Sequence, residues 1–133
     1  MNLSGRYRRE NNMEYKILGK KNDIALIITD EIVIKDTQSA LDLIASAQYE
    51  TDCDKLIVYK SCVADDFFVL STGVAGEILQ KFINYRKKIA IVGDYSKYTS
   101  KPLKDFIYES NNGNSIYFVS SIEEALLKLD SAE

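Results

Sequence analysis

Ser71, Thr72 and Gly73 stand immediately ahead of the most regularly amphipathic stretch of the chain, in which Val74, Ala75, Ile78, Leu79, Phe82 and Ile83 fall on one helical face. A helix start presents unpaired N–H groups and the positive end of the helix dipole. Hydroxyls placed there cap the helix, help to hold a phosphate or carboxylate, or accept a phosphoryl group whose charge the dipole then stabilises. The residues leave capping and anion binding both open. Gly73 and Gly76 have the spacing of neither a Walker loop nor a dinucleotide fingerprint. A second hydroxyl-rich run, Gly93-Asp94-Tyr95-Ser96-Lys97-Tyr98-Thr99-Ser100, follows the apolar Ile89–Val92, and Lys60 follows the apolar Leu56–Tyr59. Lys60, Thr72, Gly73, Asp94 and Ser96, with Ser71, are therefore the candidate lining of an anion or ligand pocket. Ser71 is also the candidate phosphoacceptor. Among nine tyrosines, Tyr95, Tyr98 and Tyr108 cluster in or beside the second run. They are a candidate partner surface, because exposed Tyr joins apolar area to a polar tip; packing into the core is the alternative.

Much chemistry is excluded by what the chain lacks. It has no histidine, which removes the commonest general base, the usual catalytic triads and most catalytic zinc sites. Cys53 and Cys62 form no CxxC pattern and have no further soft ligands, so they read as reduced thiols, with a reactive Cys62 as the minor alternative. Asp65 and Asp66 are adjacent, and neighbouring side chains point apart, so a solvated turn is favoured over a metal site. A lone Lys60 is a poor acid–base catalyst. No catalytic residues, metal or cofactor are expected.

The net charge is −3 over 133 residues, yet Arg6, Arg8 and Arg9 against Glu10 make the first twelve residues basic and leave −5 on the rest. An acidic body does not offer the basic face that nucleic acid needs. Residues 1–12 read as a disordered basic tail, with Met13 as an alternative start, and residues 13–133 as one domain. No apolar run reaches the ~20 residues that cross a bilayer, so no membrane association and a cytoplasmic location are expected.

The elements that must position these groups alternate. Tyr15–Leu18 and Ile24–Ile28 are strand candidates joined by a turn-rich Gly19–Asp23, a hairpin connector. Ile32–Ile34 is a brief apolar run before Asp36, the N-cap of a helix to about Tyr49. Leu56–Tyr59 reads as a buried strand, and the Val74–Ile83 helix, the Ile89–Val92 strand and a helix from Ser100 to about Ser110 follow, the last with Pro102 in its first turn. Ile116–Val119 is the last strand, and Ser121 with Glu124 forms a capping box for a last helix carrying Ile122, Ala125, Leu126 and Leu129. Such alternation predicts an α/β fold: one mixed, mainly parallel sheet of about five strands with four helices, opened by an antiparallel hairpin and continued by right-handed crossovers. Ligands in such sheets favour the carboxyl ends of the parallel strands. Lys60–Gly73, Gly93–Ser100 and Ser120-Ser121 should meet there.

Three strings carry a resemblance: Asp66–Phe82, Lys88–Tyr98 and Ser100–Glu109 resemble the bacterial family named domain of unknown function 4180 (DUF4180). That likeness implies a small cytoplasmic α/β protein without an established activity. More distantly, Phe68–Leu79 is similar to the central motif of STAS domains, the fold of anti-sigma-factor antagonists, where an apolar strand leads to Asp-Ser-Ser-Gly-Leu-Gly at a helix start and a partner kinase phosphorylates the first Ser. The resemblance puts Ser71 on the phosphoacceptor, Gly73 and Gly76 on the glycines, Leu70 in place of the Asp and Thr72 in place of the second Ser. It implies a STAS-like, non-enzymatic regulatory or protein-interaction module with an unidentified protein partner. Two alternatives stand beside it: an anion- or nucleotide-binding domain or weak enzyme using the same sheet edge, and self-association into a homodimer.

Overall fold

The computed structural model describes residues 7–10 and 13–132, with side chains from Met13 onward. Strands β1 (Tyr7–Glu10), β2 (Met13–Leu18), β3 (Ile24–Ile28), β4 (Lys55–Tyr59), β5 (Lys88–Val92) and β6 (Ile116–Val119) form one sheet in the order β1-β2-β3-β4-β5-β6. The pairs β1–β2 and β2–β3 are antiparallel, and β3 to β6 run parallel. The five expected strands are present, with the hairpin where Gly19–Asp23 predicts it. The sixth, β1, lies within the stretch expected to be a disordered tail. The outer main-chain groups of β2 are an open pairing edge, and Tyr7–Glu10 fills it with Glu10 opposite Met13. The remainder of that expected tail lies outside the described residues.

Each parallel strand steps to the next position in the sheet, and crossovers of one hand that always step the same way leave their helices on one face. Helices α1 (Thr37–Thr51), α2 (Val74–Asn84) and α3 (Lys101–Asn111) accordingly share a core with one set of strand side chains. Leu56 and Val58, Ile89 and Ile91, and Ile116 and Phe118 point to that face. The alternating Ile57, Ala90, Val92, Tyr117 and Val119 point to the other. Helix α4 (Ile122–Asp130) covers this second face with Ala125 and Leu129. Both faces are covered, which is why these strands read as continuous apolar runs in the sequence.

Local signals act where the sequence puts them, with informative exceptions. The Asp36 carboxylate accepts the Ser39 N–H at 2.8 Å, and the Ser39 Oγ accepts the Asp36 N–H at 3.0 Å, closing a capping box. Ser100 caps α3 and Ser121 caps α4. The return arm of the α4 box reaches one residue further than predicted: Glu124 accepts from the N–H and hydroxyl of Ser120, at 2.9 and 3.0 Å. The run Ile32–Ile34 forms no strand. It makes one bridge, Ile34 to Val63, and the Val33 and Ile34 N–H groups donate to the Cys62 carbonyl. None of the helices among the described residues is long and apolar enough to cross a membrane.

Candidate functional site

Tyr59 pairs with Val92, and Val92 with Val119, so β4, β5 and β6 end level with one another. Lys60, Gly93 and Ser120 thus leave the sheet side by side, as the connectivity predicts. From Lys60 the chain descends through three 3-10 turns, Lys60–Cys62, Asp65–Phe68 and Leu70–Thr72, before α2 begins. The loop after β5 runs opposite them to Ser100. Between the two lies an open cleft of about 560 Å³, walled by Asp65 and Phe68–Ser71 on one side and by Lys97–Ser100, Pro102 and Leu103 on the other.

The cleft is built on stacked aromatic rings. Tyr98 lies nearly parallel to Phe68, with 5.1 Å between centroids and 16° between planes. Phe68 meets Phe118 at 6.1 Å, and Tyr95 meets Phe118 edge-on at 5.5 Å. Two ammonium groups approach the stack: Lys60 lies 5.0 Å from the Tyr98 centroid and 5.3 Å from that of Phe68, and Lys97 lies 5.4 Å from Tyr98. Among the described residues neither lysine is ion-paired, whereas Lys55, Lys87 and Lys101 each hold an Asp. Gly93 lets Lys60 reach the rings. A Cβ at position 93 would stand 2.5 Å from the Lys60 Cβ and 2.8 Å from its Cδ.

The structure separates the predicted site residues into three groups. Ser71 and Tyr98 line the cleft, and Ser71 is exposed. Lys60, Asp94 and Ser96 sit at the same edge but outside the cleft wall. Thr72 is spoken for: its hydroxyl lies 2.8 Å from the Val69 carbonyl and 3.1 Å from that of Asp66, and accepts the Val74 N–H at 3.2 Å. It locks the turn rather than facing a ligand. The N-cap of α2 is Gly73, at φ +77° and with no side-chain cap, so glycine is required there by the backbone. Gly76 is different, since a Cβ there meets nothing within 4 Å, and no glycine is demanded. The two are also three residues apart, against two in the STAS motif.

Of the three tyrosines, Tyr95 turns inward: its hydroxyl donates to the Ile91 carbonyl at 2.6 Å, and burial, helped by Tyr98, pushes its phenol well above the ordinary range. Tyr108 is 72% exposed on α3 and does not line the cleft. The Asp94 carboxyl lies below the usual carboxylate range because the Ser96 N–H, at 2.9 Å, and then the Ser96 hydroxyl stabilise its charge, aided by Lys60. Phe68 and Lys97 are not among the candidate site residues of the sequence; the fold brings both to the Tyr98 ring.

Both thiols are buried, and burial is the main cause that pushes each above the usual thiol range. Cys62 donates weakly to the Thr29 carbonyl at 3.4 Å. Neither is a poised nucleophile. In the native protein a disulfide-exchange reagent should titrate both only as fast as the fold opens, and both at once in denaturant; rapid native labelling of Cys62 would show the opposite. The described residues contain no group of three or more His, Cys, Asp or Glu side chains that could hold a metal.

Against known families, the model of a domain of unknown function (DUF4180) matches residues 19–129, from the turn between β2 and β3 to the last turn of α4. The chain belongs to that family. Its matched span takes in all of β3 to β6, the three 3-10 turns and both walls of the cleft. Neither the curated proteins nor the solved structures yielded a match.

Proposed function

We propose that this DUF4180 protein is a cytoplasmic, non-enzymatic interaction module of STAS-like type that docks a protein partner through the carboxyl-end edge of its sheet. The observation that carries the reading is the cleft itself, where the Phe68–Tyr98 stack and Leu70 give apolar walls and exposed Ser71, Thr99 and Ser100 give a hydroxyl rim. Apolar centre and polar rim are the composition of docking surfaces. Around it, Tyr95 is held protonated, Asp94 is held charged and the thiols are buried, so these groups are fixed in single states rather than set to exchange protons near neutrality. Support for the STAS-like part is the order of elements and the place of Ser71 in the turn entering α2.

The test is site-specific photo-crosslinking in the native cell from Val69, 48% exposed on the cleft wall, and from Thr99 opposite it, with Tyr49 on α1 as the control. A discrete adduct from both cleft positions, absent from the control and lost on Tyr98→Ala, is expected. No adduct, or the same adduct from position 49, would overturn the reading. The second reading, a small-molecule anion site, draws on the two unpaired lysines beside Tyr98. It expects saturable thermal stabilisation by phenyl phosphate that weakens on Lys97→Met.

A further inference from the structure

Lys60 is half-buried, and its ammonium lies over two rings, 5.3 Å from the Phe68 centroid and 5.0 Å from that of Tyr98. Lys97, on the cleft wall, brings a second ammonium to 5.4 Å from the same Tyr98 ring. Two carboxylates stand near them. Asp94 faces Lys60, but the Ser96 N–H and hydroxyl already engage it. Asp65 is exposed on the opposite wall, and among the described residues it pairs with neither lysine. A partly desolvated ammonium recovers only some of its lost hydration from ring faces, and a carboxylate in hydrogen-bond reach would recover more. Lys60 is also held in place beforehand. Its stem lies across residue 93, where the missing Cβ gives it room, so little side-chain freedom is lost when an anion arrives. The backbone adds the same sign of charge. The starts of α2 and α3 meet the two walls, at Leu70–Thr72 and at Ser100, and each presents the positive end of its dipole.

We infer that the cleft recognises a short acidic peptide segment of its partner, in which an apolar side chain enters between the walls and the carboxylates flanking it meet Lys60 and Lys97. The inference rests on the docking reading above and adds the chemistry of the partner. Phe68, Val69, Leu70, Pro102 and Leu103 supply the apolar seat, and about 560 Å³ is within the range of pockets that enclose drug-sized groups. A peptide with a few acids fits this edge better than a polyanion does, because Asp65 and Asp94 stand beside the lysines and the domain as a whole is acidic.

The experiment titrates the full-length chain with two peptides, acetyl-Gly-Ser-Asp-Phe-Asp-Ser-Gly-amide and its Asn-Phe-Asn counterpart, and reads the tyrosine-ring and lysine Cε signals by NMR. At low salt the Asp-Phe-Asp peptide is expected to bind at least about tenfold more tightly, since ionised partners make the stronger hydrogen bonds. The preference should shrink as salt rises. Lys60→Met combined with Lys97→Met should erase it, and Lys60→Arg, which keeps the charge, should retain it. Should the double variant fail to fold, Lys97→Met alone, in an exposed loop, should still reduce the preference by about threefold. Equal affinity for the two peptides, no binding of either, or a preference that the double variant keeps would overturn the inference. So would binding of phenyl phosphate or of a single-stranded oligonucleotide in place of the peptide. The photo-crosslinks from positions 69 and 99 separate this failure from a failure of docking itself. An adduct that survives in the double variant removes only the acidic segment, whereas no adduct in wild type removes the docking reading and this inference with it.

Discussion

Phe118→Ala is expected to lower the stability of this protein by about 3–5 kcal/mol, the range for removing a buried phenyl ring. The size follows from the position of the ring. Phe118 is 4% exposed and meets four other rings: Phe67 at 6.2 Å, Phe68 at 6.1 Å, Tyr95 at 5.5 Å and Phe106 at 5.8 Å. Aromatic pairs of this geometry add to the transfer term, and close neighbours in rigid helices and strands cannot all move in to fill the space. Against the ~5–15 kcal/mol that a domain of this kind has in total, the loss is a large fraction. Urea unfolding should show a lower midpoint with an unchanged slope, and Phe118→Leu should recover a good part of the difference. The cleft depends on the same ring, because Phe68 and Tyr95 both rest on it. Near-ultraviolet tyrosine signals should therefore weaken in the alanine variant before unfolding begins. A loss below about 1 kcal/mol would mean that the rings are loosely packed and that the cleft has no rigid base.

The parts of this fold that the sequence reveals are those decided by burial and by local hydrogen bonds. Runs such as Leu56–Tyr59 and Ile89–Val92 are apolar throughout because helices cover both of their faces, and that pattern survives in one dimension. Asp36, Ser100 and Ser121 cap helices by contacts within a few residues, so they too are visible. What the sequence hides is decided by partners far along the chain. The Tyr7–Glu10 strand exists as a strand only against β2, and its arginines read as a solvated tail until that edge is considered. The Thr72 hydroxyl resembles a ligand group until the turn at Val69 claims it. Tyr95 resembles a surface tyrosine until its hydroxyl is traced four residues back to Ile91. In the candidate site, the edge was legible from connectivity, since Lys60, Ser71 and Asp94 do gather at the carboxyl ends of the strands. The division into a cleft with Ser71 and Tyr98, and a flank with Lys60, Asp94 and Ser96, depends on side-chain directions in turns, which no periodicity encodes.

Gly93→Ala tests the coupling between backbone and site most directly. Gly93 has no left-handed torsion to justify it; its requirement is space. The added methyl would stand 2.5 Å from the Lys60 Cβ, well inside contact distance, and that atom belongs to the root of the side chain rather than to its mobile end. Something must shift: the first turn after β4, the start of the loop after β5, or both. Overpacking of this kind costs about 1–3 kcal/mol. The functional consequence is the larger one, because Lys60 reaches Phe68 and Tyr98 only by lying across residue 93. Displaced, its ammonium leaves the ring pair, and the Asp94 carboxylate loses the lesser support of Lys60 while keeping its Ser96 hydrogen bonds. The decisive number is a double-mutant coupling. Lys60→Gly alone should destabilise, through lost packing and added chain freedom. In the Gly93→Ala background the same change removes the clash, so it should cost less or restore stability, with a coupling of at least about 1 kcal/mol. Strict additivity would mean that the two residues do not share the contact, and that the orientation of Lys60 over the rings has another cause.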